Sequence, residues 1–180
     1  MFPSDHIETP RLILRKPIAP DDAPCVFGSY AHDPRVTRYL TWRPHHDLAD
    51  TERILRTRVA WWDERREFSW VITTKPGGEI IGMASAGNDD YAWRYHIGYV
   101  LAHSHWGRGY MTEAARALID HLLALSGVIR VWSVVDHENL ASMRVLEKAG
   151  MQREGLLRRW SVHPAISHVA RDCWCFAKVR

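Results

Sequence analysis

Hydrophobic positions change their spacing several times along the chain, and each change marks an element. The short apolar run at Leu12–Arg15 predicts a first strand. Pro20-Asp-Asp22 opens a helix, and a second helix covers roughly Asp47–Arg66. The β-rich runs Phe68–Thr74 and Glu79–Ala86 are joined by Lys75-Pro-Gly-Gly78, a hairpin signal, and Trp93–Leu101 makes the next strand. In the helix after it, Ala114, Ala115, Leu118, Ile119, Leu122 and Leu123 fall at the three-and-four spacing of a buried stripe, which Gly127 stops. Val128–Val135 reads as a buried strand, Leu140–Ala149 as a helix ended by Gly150, and Met151–Trp160 and His168–Lys178 as two final strands. The sum is an α/β sheet of seven strands with helices on both faces. The strand–helix–strand order from Tyr95 to Val135 predicts one parallel pair within it.

One junction in this pattern carries chemistry. The apolar run Tyr95-His-Ile-Gly-Tyr-Val-Leu101 leads through Ser104-His-Trp-Gly-Arg-Gly-Tyr-Met111 into the striped helix. Gly107 and Gly109 allow a tight turn and close approach to a ligand. The helix behind them offers unpaired N–H groups and a partial positive charge, so a phosphorylated ligand is expected here. The chain contains no G-x-x-x-x-G-K-[ST], and Gly107-Arg-Gly109 lacks the third glycine of the dinucleotide fingerprint.

Bulk properties narrow the class. The 180 residues can bury a substantial core, and no composition shift divides them, so 1–180 is expected to form one domain. No run reaches the ~20 apolar residues of a membrane span, and the start lacks a signal-peptide apolar region, so a cytoplasmic protein with no membrane partner is expected. Three cysteines, Cys25, Cys173 and Cys175, do not make a disulfide framework and read as reduced core residues. The net charge of +3 is spread without a dense basic stripe, and nucleic acid is not an expected partner. His103-Ser-His105 and His45-His46 lack zinc-type spacing, and no metal is expected. Several of the nine tryptophans, Trp42, Trp61, Trp62, Trp70 and Trp93, lie in the first half and read either as core or as an aromatic-lined pocket.

The segment Trp106-Gly-Arg-Gly-Tyr-Met-Thr-Glu-Ala114 resembles the acetyl-CoA loop of the GNAT superfamily of N-acetyltransferases, in the branch that acetylates ribosomal proteins and peptide α-amines. In the family pattern Q/R-x-x-G-x-G/A, Gly109 is the fourth position. Trp106 stands in place of Gln or Arg, and Met111 in place of Gly or Ala. The resemblance runs from Ile7-Glu-Thr-Pro-Arg-Leu-Ile-Leu-Arg15 through Glu79-Ile-Ile-Gly82 and Asn139-Leu-Ala-Ser-Met-Arg-Val-Leu-Glu-Lys-Ala-Gly-Met151 to Cys173-Trp-Cys-Phe-Ala-Lys178. It implies a mostly antiparallel seven-stranded sheet with a splayed parallel pair, and acetyl-CoA as acyl donor. Tyr99, Val100 and Leu101 would meet the pantetheine arm. Trp106, Gly107, Arg108, Gly109, Tyr110, Met111 and Thr112 would form the pyrophosphate loop, and Asn139 and Ser142 would flank the thioester. The acceptor would be a protein, peptide or small-molecule amine, and the protein a monomer or homodimer, with an exposed edge strand near the C-terminus available for pairing.

Attack of an amine on a thioester needs a neutral amine, a polarised carbonyl and a proton for the leaving sulfur. The resemblance points to Ser142 as the sulfur's proton donor and to Asn139 as a pantetheine contact, although both residue types also serve a helix start. The family often has a Glu on the strand before the loop, where this chain has His96. With an unperturbed pKa of about 6.5, histidine can accept a proton at neutral pH. Glu138 and Glu67 compete for that role, and an α-amine with a pKa of about 7.7–8.0 needs little help. Asp89 and Asp90 are candidates for attracting a cationic acceptor. The missing glutamate also leaves open a non-catalytic acyl-CoA-binding module.

Overall fold

The computed structural model describes residues 2–88 and 91–180, so Asp89 and Asp90, the expected attractors of a cationic acceptor, lie outside the described residues. The strands are β1 (His6–Glu8), β2 (Leu12–Arg15), β3 (Glu67–Thr74), β4 (Ile80–Gly87), β5 (Arg94–Leu101), β6 (Arg130–Asp136), β7 (Gln152–Ser161) and β8 (Arg171–Val179). They make one sheet in the order β1-β2-β3-β4-β5-β6-β8-β7. Every pairing is antiparallel except β5 with β6. The sheet thus has eight strands rather than the expected seven. The additional strand is β1, in which Ile7 alone is buried between exposed His6 and Glu8. Three residues give too little alternation to read, and the strand forms because the chain turns at Pro10 and lays His6–Glu8 against Arg15–Ile13.

The helices are α1 (Ala23–Val26), which runs into a π-helical turn at Phe27–Ala31, then α2 (Pro34–Thr37), α3 (Leu48–Asp63), α4 (Tyr110–Ala124) and α5 (Leu140–Lys148). Asp47 caps α3 by accepting from the Asp50 N–H at 2.9 Å. The core divides between the two sheet faces. On one, Leu118, Ile119 and Leu122 of α4 and Leu146 of α5 pack with Phe68, Trp70 and Ile72 of β3. On the other, Tyr30 and Leu55 pack with Val71 and Ile80. Neighbouring residues of β3 therefore serve opposite faces, which is why that strand is a continuous apolar run. Among the described residues, no helix is long and apolar enough to cross a membrane.

Several expected core residues fall elsewhere. Of the cysteines, which are all free, Cys173 is buried, Cys175 half-buried and Cys25 exposed. Cys25 departs from expectation because α1 turns only Ala23 and Val26 inward. Trp70 is fully buried, with its indole N–H donated to the Ser4 carbonyl at 2.9 Å, and Trp62 packs edge-on against it. Trp61 instead lies under the guanidinium groups of Arg58 and Arg66, and Trp93 is exposed.

The parallel pair determines where a ligand can enter. Its register runs Arg94↔Arg130, Tyr95↔Val131 and His96↔Trp132 and stops. Beyond it the Ser133 hydroxyl still donates to the Ile97 carbonyl, at 2.9 Å. β5 then stays with β4 as far as Leu101↔Gly82, while β6 stays with β8 as far as Asp136↔Cys173. The two strands diverge, and the backbone of Gly98–Leu101 faces the gap.

Candidate active site

At the end of β5 the chain makes a 3-10 turn, His103–His105, and enters α4 through Gly107 (φ +75°) and Gly109 (φ +77°). Both glycines adopt the left-handed conformation that side chains disfavour. No side chain caps α4, and the Glu113 N–H donates to the Gly109 carbonyl at 3.1 Å. The amides of Tyr110, Met111 and Thr112 precede that bond and are available to an anion. Side chains hold the turn from outside. The Trp106 indole donates to the Leu101 carbonyl at 2.8 Å, and Arg11 Nη1 donates to the Arg108 carbonyl at 3.1 Å. Glu113 accepts from the Thr9 hydroxyl (2.6 Å), the Arg11 amide (2.9 Å) and Arg11 Nε (2.6 Å), while the Arg11 cation lies 4.6 Å from the Tyr110 ring centre. The phrases E-T-P-R and T-E-A, about a hundred residues apart, are thus the two halves of one brace. Trp106 uses its ring for this brace, and Met111 buries its side chain in the core, so the two departures from the family pattern leave the main chain of the loop free.

A cleft of about 690 Å³ opens beside this loop and is lined by Tyr99, Val100, Leu101, Trp106, Gly107, Gly109, Tyr110, Met111, Thr112, Asn139 and Ser142. Arg108, the remaining expected cofactor residue, is exposed and lies outside the lining, because its carbonyl is turned to Arg11. The lining adds Arg35, Arg38, Arg144 and Lys148, and it contains no Asp or Glu among the described residues. These four cations were not identified from the sequence. For Arg144 and Lys148 the signal was present, since a spacing of four puts them on one face of α5. The amides, the cations and the open strand edge together fit a long ligand with a phosphorylated end.

A second cavity of about 530 Å³ lies on the other side of the splay and shares Tyr39, Leu40, Tyr99, Val100, Asn139 and Ser142 with the cleft. The junction is ordered by hydrogen bonds. Asn139 caps α5, its Oδ1 accepting from the Ser142 N–H at 3.2 Å. The Ser142 hydroxyl is 2.8 Å from the Tyr99 hydroxyl, which also donates to the Ser142 carbonyl at 3.2 Å. Burial pushes the Tyr99 phenol well above its ordinary pKa, with the Ser142 bond opposing, so it stays protonated near neutral pH. The phenolic hydrogen can occupy the Ser142 carbonyl, which leaves the Ser142 hydrogen free to turn elsewhere. The sequence marked Tyr99 only for its backbone, since a tyrosine on a strand gives no sign of where its hydroxyl lies.

His96 lines the second cavity, half-buried, with its ring against Gly87 and 5.9 Å from Trp132 in an edge-to-face contact. A side chain at Gly87 would run into that ring, so the glycine makes room for the imidazole. Glu67 and Glu138 are outside both linings and already paired, Glu67 with Arg58 and Glu138 with Arg171 at 2.7 Å. Of the five tryptophans considered for an aromatic-lined pocket, Trp42 is the one that lines this second cavity.

Residues 11–152 match the family model of the acetyltransferase (GNAT) domain. The uncharacterized N-acetyltransferase YoaA of Bacillus subtilis is 32% identical over 163 residues, 89% of either chain. The structure of RimJ from Mycobacterium smegmatis in complex with CoA-disulfide superposes with a TM-score of 0.85 at 25% identity, covering 99% of this chain and 90% of that one. A putative ribosomal-protein-serine acetyltransferase from Vibrio cholerae has the same fold, with a TM-score of 0.85 at 20% identity over 100% of both chains. With most of its length matched both by the family model and by a relative about a third identical, the chain belongs to the GNAT acetyltransferases.

Proposed function

We propose that residues 1–180 act as one domain that transfers an acetyl group from acetyl-CoA directly to a primary amine, the α-amine of a peptide or protein or that of a small molecule, with both substrates bound together. The observation that carries this reading is the meeting of two cavities at Tyr99, Asn139 and Ser142. A reaction between two bound molecules needs such a shared wall.

The amides of the Gly107–Thr112 loop and the cations Arg35, Arg38, Arg144 and Lys148 would hold the phosphorylated end of acetyl-CoA, which supplies the reactive thioester. The open edge of β5 at Tyr99–Leu101 would pair with the pantetheine amides. Asn139 keeps the start of α5, and with it Ser142, against the thioester. His96, from the second cavity, accepts the proton that the amine nitrogen loses as the new C–N bond forms. Ser142 gives its hydroxyl proton to the sulfur as the C–S bond breaks, and Tyr99 remains protonated beside it throughout. The complex of RimJ with CoA-disulfide and the ribosomal-protein acetyltransferase among the structural neighbours support this choice of donor and acceptor.

The test is a thermal-unfolding scan with and without acetyl-CoA, followed by an assay of thiol release. Ligand at a hundredfold over Kd should add about 2.7 kcal/mol, a rise of roughly 5–10 °C for a chain of this size. A rise together with amine-dependent thiol release is the expected result. No rise overturns the cofactor assignment, and a rise without release from any amine would make the protein an acyl-CoA-binding module.

A further inference from the structure

The second cavity is poor in acid and holds one strong cation. Among the described residues that line it, Asp136 is the one carboxylate, and it is already engaged. Arg171 donates to it from Nε (2.6 Å) and Nη2 (3.2 Å), and the Glu138 N–H donates at 2.9 Å. Its pKa agrees: burial alone would raise it, but the Arg171 and Glu138 hydrogen bonds hold it below the ordinary value. Among the described residues, nothing in this cavity is left to neutralise the additional charges of a polyamine or an aminoglycoside.

Among the described residues, Arg58 is the one Lys or Arg of the lining. It extends from α3 with its guanidinium carbon 5.2 Å from the Trp61 ring centre. Only Nη1 is engaged, by Glu67, which lies outside the lining, so most of the donor fork is unused among the described residues. Tyr30 also lines the cavity, and its hydroxyl is buried without a hydrogen-bond partner among the described residues. Burial raises the pKa of that phenol; the Arg58 charge acts in the opposite direction, and the charge of Asp22, a carboxylate already paired with Arg15 at 2.7 Å, acts in the same direction as burial. A guanidinium with unused donors and a buried unpaired hydroxyl in the wall of one cavity are groups suited to an oxyanion.

We propose that the acceptor is an amine that also carries a carboxylate, and that Arg58, assisted by Tyr30, reads this carboxylate in exchange for Glu67. The inference rests on the transferase reading above and narrows its acceptor. The carboxylate can be the α-carboxylate of a free amino acid or an acidic side chain close to a peptide N-terminus. Arg58 is the specificity-determining contact, and it takes no part in the transfer of protons.

The experiment uses the full chain with acetyl-CoA and measures kcat/KM by thiol release for two matched pairs. One pair is the peptide amide Ala-Asp-Ala against Ala-Asn-Ala, whose terminal amines are alike. The other is free methionine against methioninamide. A preference for the carboxylate of about tenfold or more, expressed in KM, is expected in at least one pair, and the pair that responds identifies the source. In Arg58→Gln that ratio should fall to within about twofold, while the acetyl-CoA-induced rise in Tm persists. Arg58→Lys, which keeps the charge without the fork, should retain part of the ratio, and it provides the reading if the glutamine variant does not fold. Equal use of the acidic and neutral members, or a preference that survives in the variants, overturns this inference and leaves the transferase reading intact. No transfer to any amine would instead overturn the transferase reading, and this inference with it.

Discussion

The two cavities that meet at Ser142 are built from different parts of the chain. On the loop side, the strand β5, the turn through Gly107 and Gly109 and the first turn of α4 are consecutive in sequence, and they present backbone amides. On the other side, Tyr30 of the π-helical turn, Leu55 and Arg58 of α3, Met83 of β4, His96 of β5, and Trp42 and His163 of connecting segments are scattered along the chain and present side chains. A backbone contact tolerates almost any side chain that does not disturb the chain's course, so Trp106 and Met111 can replace the usual residues and leave the loop intact. A pocket made of side chains changes its guest with a single substitution. The first architecture suits a ligand common to a whole family, the second a ligand that differs among its members.

A substitution that separates backbone shape from charge tests this contrast most severely. Gly109→Asp should abolish the stabilisation by acetyl-CoA, a loss of about 2.7 kcal/mol at a ligand concentration a hundredfold over the wild-type Kd. Two effects act together. The φ of +77° at this position disfavours any side chain, and the new carboxylate would oppose the anion the loop is built to receive. Gly109→Ala carries the first effect alone and should keep part of the ligand-induced rise in Tm. Unchanged affinity in the aspartate variant would mean that the phosphates lie elsewhere, and the distinction between the two cavities would collapse.

The junction residue has a smaller expected effect and answers a different question. Ser142→Ala should lower kcat by about 10²-fold, the low end of general acid catalysis, with the KM for acetyl-CoA held within about twofold. It removes one hydroxyl from the Tyr99 contact and leaves the Asn139 cap untouched, because that bond is made to the Ser142 backbone N–H. A full rate would make Ser142 a residue of the helix start only. The shared wall of the two cavities would then be structural.

The same division explains what could be read without coordinates. α4 was legible from its apolar stripe, and of the six predicted positions only Leu123 is less than fully buried. The hairpin between β3 and β4 was legible from its Pro-Gly-Gly turn, and the splayed pair from its strand–helix–strand order and the family resemblance. Eleven of the twelve expected cofactor residues line one cleft, because they are local in sequence or share the start of α5. The other cavity was nearly illegible. Its wall includes the π-helical turn and the four-residue helix α1 before it, too short to show a period. Arg58 and Tyr30 are twenty-eight positions apart and carry no motif. His96 was found only because it occupies a marked place in a strand beside the loop.

The brace outside the loop gives the smallest and most graded prediction. Glu113→Gln can keep its one oxygen for the Thr9 hydroxyl and the Arg11 amide, but it then turns an NH₂ toward Arg11 Nε and removes the ion pair. Losing one charge-assisted bond at a half-buried site should cost about 1–2 kcal/mol, or roughly 2–8 °C in Tm. The pH dependence follows from the carboxylate. Burial alone would raise the Glu113 pKa, but the bonds from Thr9 and Arg11 and the Arg11 charge bring it below the ordinary value. A lowered folded-state pKa means that its stabilisation is fully present above the unfolded value of about 4.3 and is lost as pH falls through the lower folded value. Wild type and Glu113→Gln should therefore differ most in Tm near neutral pH and converge in acid. A gap that stays constant down to acid pH would show that the variant acts by packing, without a contribution from charge. If the glutamine variant also weakens acetyl-CoA binding a few-fold, the main-chain cleft depends on side chains at one remove, and the contrast between the two cavities is one of distance from the ligand.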